Sequence, residues 1–123
     1  VTGYVVFAHG SRVESANEAV RAVAAELARI GGFPLMETAF LELGAPDLPG
    51  AVERLVAAGV DRVVIVPYFL TLGLHMERDL PALVRTISNQ HNGLEIAVAS
   101  PLDGHPGLVQ ALLDRARQAG KST

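Results

Sequence analysis

The chain reads as an α/β protein of three αβα layers, with a four-stranded parallel sheet in the flavodoxin-like order 2-1-3-4. Three observations predict it. Short apolar runs alternate four times with segments whose apolar residues recur at helical spacing. The runs are continuously apolar, as strands covered on both faces must be. Glycine closes each of the first three helical segments.

Tyr4-Val5-Val6-Phe7-Ala8 is the first strand. Ala16, Ala19, Val20, Val23, Leu27 and Ile30 then repeat at helical spacing, Ser15 and Glu18 are spaced as a capping box, and Gly31-Gly32 stops the helix. Leu35 to Leu41 is the second strand. Asp47 is placed to cap the next helix, with Pro49 in its first turn. Val52, Leu55 and Val56 give that helix its apolar face up to Gly59. Val63-Val64-Ile65-Val66, rich in β-branched residues, is the third strand. The third helix is expected from about Asp79, with Leu80, Leu83, Val84 and Ile87 on one side and Asn92-Gly93 closing it. Leu94 to Ala99 is the fourth strand, and Pro106 opens a last helix carrying Val109, Leu112, Leu113 and Ala116. Arg21, Arg29, Glu53 and Arg85 read as solvent-facing helix residues.

Composition narrows the function. At 123 residues the expectation is one domain over 1–123, and 50% apolar content allows a core. Ten basic residues against thirteen acidic ones give a net charge of −3, with no basic stripe for a nucleic-acid backbone. The absence of cysteine excludes disulfides, thiolate metal sites and a cysteine nucleophile. No apolar run approaches the ~20 residues that span a bilayer. Val1-Thr2-Gly3-Tyr4 has no basic n-region of a secretory signal, so a cytoplasmic location is expected.

Ligands of open parallel sheets bind beyond the carboxyl ends of the strands. Strand 1 runs into His9-Gly10-Ser11-Arg12, strand 2 into Glu42, and strand 3 into Tyr68-Phe69-Leu70-Thr71-Leu72-Gly73-Leu74-His75-Met76. Two imidazoles and a carboxylate therefore reach one edge from three adjacent strands. They suit a divalent first-row metal, and histidine also accepts a proton near pH 7. A lone histidine at a strand end is most often structural; three such groups at one edge point to a site. The segment Tyr68 to Arg78 reads as a long βα loop, and its apolar residues imply cover for a flat ligand or another subunit. The helix start after Ser11, together with Arg12, offers a place for anionic groups, or merely begins the helix. His105, before Pro106, reads as a helix-start residue, and His91 as solvated or answering the helix dipole.

Val6-Phe7-Ala8-His9-Gly10-Ser11-Arg12, Ala39-Phe40-Leu41-Glu42, Val66-Pro67-Tyr68-Phe69-Leu70 with Gly73-Leu74-His75 and Asp79-Leu80-Pro81, and Pro101-Leu102-Asp103-Gly104-His105-Pro106 together resemble the short CbiX/SirB-type sirohydrochlorin chelatases, the class II chelatases. The resemblance spans about residues 3 to 118. It implies insertion of cobalt, iron(II) or nickel into the reduced tetrapyrrole sirohydrochlorin, for cobalamin, siroheme or a related product. It places the two active-site histidines on His9 and His75 and the acidic metal-binding residue on Glu42. It implies a homodimer, with the divalent metal as substrate and no permanently bound cofactor.

On that reading His9 and His75 hold the metal and accept the pyrrole protons, and Glu42 adds charge to the site. Tyr68, Phe69, Leu70, Leu74 and Met76 receive a face of the macrocycle, while Ser11 and Arg12 meet its carboxylates. Two rivals remain. A histidine phosphatase also carries His-Gly after its first strand, but it needs arginine just before the histidine, where this chain has Ala8. A non-catalytic tetrapyrrole or metal carrier would use the same ligands.

Overall fold

The fold was determined as a computed structural model describing residues 1–121. Four parallel strands alternate with four helices. They are β1 (Thr2–Ala8), α1 (Glu14–Gly31), β2 (Met36–Phe40), α2 (Leu48–Ala57), β3 (Arg62–Pro67), α3 (Gly73–Gln90), β4 (Glu95–Val98) and α4 (Pro106–Gly120). The sheet order is β2-β1-β3-β4, as the apolar runs imply. Ala8 pairs with Phe40 and Phe7 with Pro67, so β1, β2 and β3 end level at one edge.

Strand alternation sorts the side chains. Val5, Phe7, Val63 and Ile65 point to one face, where they join Leu48, Val52 and Leu55 of α2 and Met76, Leu80 and Ile87 of α3 in the core. Each fully buried Phe, Ile or Leu there contributes roughly 1.5–3 kcal/mol of transfer free energy. Val6 and Val66 point to the other face, toward Val23 and Leu27 of α1. Among the described residues, no helix is long and apolar enough to cross a membrane.

The predicted signals mostly hold. The Asp47 carboxylate accepts from the Gly50 N–H at 2.9 Å, and Gly32 ends α1 with φ 67°. Pro106 opens α4 behind His105, whose ring nitrogen accepts from the Gly107 N–H at 2.8 Å. His91 is the C-cap of α3.

Four expectations change. α3 begins at Gly73, well before Asp79, and runs through Pro81. Proline is favoured in a first helical turn, and Pro81 imitates that signal. The buried side chains of Met76 and Leu80 hold the earlier turns onto the sheet instead, and the long loop shrinks to Tyr68–Leu72. Ser15 and Glu18 form no capping box, since α1 starts at Glu14 behind Val13 with no side-chain cap. Arg21 is not simply solvated: it pairs with Glu14 and Glu18 and lies 5.2 Å over the Phe40 ring. Finally, α4 buries no residue, and Val109 and Leu112 remain 67% and 62% exposed.

Candidate active site

The level strand ends bring the predicted residues to one edge. Past the strands the hydrogen-bond ladder continues, the Leu41 N–H donating to the Ala8 carbonyl at 2.9 Å and the Glu42 N–H to the His9 carbonyl at 3.1 Å. His9 and Glu42 are thereby neighbours, with Glu42 Oε1 3.9 Å from His9 Nδ1. Both side chains are more than half exposed, so solvent screens their attraction.

This closeness requires a glycine. Gly10 has φ 94°, and a Cβ there would stand 1.7 Å from the Glu42 carbonyl oxygen. The chain after His9 turns flat against the Glu42 backbone, which no L side chain permits.

A side chain that the sequence reading passed over holds both loops. Asn17 of α1 is 1% exposed and the buried polar residue of the described chain. Its Oδ1 accepts from the Ser11 N–H, and its Nδ2 donates to the Ser11 and Leu43 carbonyls, each at 2.9 Å. It thus ties the His9–Arg12 loop to the Glu42–Gly44 loop. Leu43, at φ 57°, is held in the left-handed region by that bond. The signal lay in the helical period: Asn17 occupies the inward stripe with Ala24, where an apolar residue is due.

His75 arrives from the first turns of α3. It lines, with His9, a cavity of about 360 Å³ bounded by Leu41, Phe69, Leu72 and Met76. Thr71 and Asp79 complete the wall. Asp79 lies four residues beyond His75, one turn along α3, a relation hidden while this segment reads as a loop. Among the described residues, no three His, Asp or Glu side chains stand close enough to cage a metal ion. His9 and Glu42 approach each other, and His9 and His75 share a cavity, but the three do not close into one cluster.

The other predicted contacts separate. Phe69 lines the cavity and packs edge-on to Phe7, with ring centroids 5.9 Å apart. Met76 lines it from the core. Tyr68 lines a different groove, on the α1 face of the sheet. Leu70 and Leu74 are 60% and 87% exposed. The Ser11 hydroxyl accepts from the Val13 N–H at 3.0 Å, closing the turn before α1. Arg12 is exposed, with no ion partner among the described residues.

The sequence profile of one protein family, CbiX, matches residues 3–119. The chain belongs to the CbiX family. The sirohydrochlorin cobaltochelatase of Sulfolobus acidocaldarius is 33% identical to it over 117 residues, covering 95% of this chain and 91% of that one. The chloroplastic sirohydrochlorin ferrochelatase of Arabidopsis thaliana is 30% identical over 113 residues, 92% of this chain and 50% of that one. The crystal structure of a CbiX protein from Marinobacter aquaeolei VT8 is 27% identical, with a TM-score of 0.87 over the whole of both chains. This CbiX family member thus shares the fold of that structure, and in it His9, Glu42 and His75 lie toward the carboxyl edge of the sheet.

Proposed function

We propose that this chain is a sirohydrochlorin chelatase, inserting a divalent metal ion (cobalt, iron or nickel) into sirohydrochlorin on the way to cobalamin, siroheme or a related tetrapyrrole. The observation that carries the reading is the pair His9 and His75 lining one cavity at the carboxyl edge of the sheet, in a chain related to enzymes named for cobalt and for iron insertion.

Insertion exchanges the pyrrole N–H protons of the macrocycle for one dication, so the site must present the ion and take up protons. Two neutral imidazoles do both: each offers a lone pair to the metal and, once the ion has moved to the ring nitrogens, can take a proton. The Glu42 carboxylate beside His9 offsets charge on the ion and then on the imidazolium. An uncaged site favours transfer, because an ion held by few protein ligands is readily surrendered to the macrocycle nitrogens. The metal is therefore substrate, and no resident cofactor is needed.

Leu41, Phe69 and Leu72 offer the macrocycle an apolar seat, with the exposed Leu70 and Leu74 alongside. Arg12, without an ion partner among the described residues, is available to the peripheral carboxylates. The site is open to solvent, and a second copy of the chain, making a homodimer, would complete its walls.

The test is anaerobic mixing with sirohydrochlorin and Co²⁺, Fe²⁺ or Ni²⁺, followed by the absorbance change of metallation. The reading expects turnover above the spontaneous rate with at least one ion, and comparing the three assigns the metal. Tight binding of ion and macrocycle without acceleration would instead make the chain a carrier.

A further inference from the structure

We propose that Asp79 is a further metal-handling residue of this site: its carboxylate meets the incoming dication inside the cavity and holds it beside His75 until the macrocycle takes it. The inference rests on the chelatase reading and adds a residue to it.

The charge of the cavity wall is the first support. Asp79 is the one acidic residue among the described residues that line the cavity shared by His9 and His75. Glu42 does not line it; that carboxylate stands beside His9, 3.9 Å from Nδ1. Apart from the two imidazoles and Thr71, the rest of the wall is apolar. A dication entering such a space gives up part of its hydration, and a carboxylate in the wall offsets that cost.

Spacing is the second. Asp79 follows His75 by four residues within the continuous helix α3. Side chains at i and i+4 share one helix face about 5–6 Å apart. Two ligating side chains at this spacing can meet at one ion. The described residues form no three-ligand cage, so the pair offers two protein contacts and leaves the remaining shell to water. The cavity, of about 360 Å³, has room for that water. Each molecule takes about 30 Å³.

The third is that Asp79 has no other task in the fold. It is the seventh residue of α3, beyond the first turn, so it neither caps the helix nor answers its positive end. Its side chain is 61% exposed, and its partner is the adjacent Arg78, whose Nε donates to Oδ1 at 3.2 Å. An ion pair between two exposed neighbours contributes little. The described hydrogen bonds of this carboxylate engage Oδ1 alone, leaving Oδ2 for the cation. Each histidine thus has its own acidic companion, Glu42 beside His9 and Asp79 one turn from His75, and the ion is received between them.

The test compares the unsubstituted chain with Asp79→Asn and Asp79→Glu, in two measurements. Equilibrium dialysis reads binding of Co²⁺ alone. Initial rates of metallation then separate the KM for Co²⁺ from kcat. Asp79→Asn should weaken Co²⁺ binding by about 10-fold, the effect of removing one charge some 5 Å from a dication in a water-like medium. Asp79→Glu, which keeps the charge, should retain most of the affinity. In turnover, Asp79→Asn should raise the KM for Co²⁺ by a similar factor, with kcat and the KM for sirohydrochlorin within about twofold. Unchanged Co²⁺ binding in Asp79→Asn overturns the proposal, and so does an equal loss in both variants, which marks a demand for shape and not for charge. A chain that binds no Co²⁺ before substitution overturns it as well. If the unsubstituted chain binds Co²⁺ without accelerating metallation, the chelatase reading fails, while dialysis still decides the role of Asp79.

Discussion

The Glu42 N–H donates to the His9 carbonyl at 3.1 Å, so the acidic residue and the first histidine are positioned by backbone rather than by their own side chains. Their side chains come within 3.9 Å as a result. Removing either side chain should alter chemistry at this edge while leaving its geometry in place.

His9→Ala and His75→Ala should each lower the metallation rate by about 10²-fold or more, the usual contribution of a positioned acid–base group. Both side chains are exposed, so circular dichroism and thermal midpoint should match the unsubstituted protein. Wild-type rates in both variants would remove the assignment.

Glu42→Gln keeps the shape and deletes the charge. We expect a loss of about 10-fold in metallation, on the order of 1.4 kcal/mol. The loss should be concentrated in the dependence on metal concentration, read from initial rates at varied Co²⁺.

Gly10→Ala should be severely destabilising, by roughly 3 kcal/mol or more, since its Cβ would stand 1.7 Å from the Glu42 carbonyl oxygen at φ 94°. Urea denaturation measures the change. Gly59→Ala, also at positive φ but with open space around the Cβ, is the control and should cost less.

Asn17→Leu retains volume and strips the clamp from the Ser11 and Leu43 backbones. Leaving those groups unsatisfied should cost on the order of 2–3 kcal/mol. Metallation should fall even where the chain is folded, because the loops bearing His9 and Glu42 lose their shared brace.

Arg21 donates to Glu14 at 2.7 Å and holds its carboxyl below the ordinary glutamate value. A carboxylate whose pKa is lowered on folding adds stability that is fully present above its unfolded value, near 4.5, and is lost as pH falls through the folded value. Arg21→Gln should raise the Glu14 midpoint in an NMR titration and flatten the loss of stability below pH 4.5.

Much of this was legible in the sequence, for a physical reason. Runs such as Tyr4–Ala8 and Val63–Val66 are apolar on both faces, as a covered parallel strand requires, and ligands of such sheets bind beyond the strand ends, which singled out His9, Glu42 and His75 as candidates. The misreadings came where local and tertiary signals compete. Pro81 resembles a helix start, but buried Met76 and Leu80 hold two further turns of helix ahead of it. Arg21 has the spacing of a surface residue, yet Phe40 lies beneath it. Asn17 was passed over because helix periodicity ranks residues by apolarity, and its value is in hydrogen bonds to segments distant in sequence.

The course of α3 has a mechanical consequence. Its first residue, Gly73, follows Leu72, which supplies no side-chain cap, and Pro81 cannot donate the bond that would join its turn to the one before. His75 therefore rides on a short stretch of helix weakly coupled at both ends and pinned chiefly by Met76 and Leu80. Such a stretch frays more readily than the turns around Ile87. Amide exchange should be faster over residues 74–78 than over residues 84–88, making the second histidine the compliant jaw of the site and His9, braced through Asn17, the rigid one.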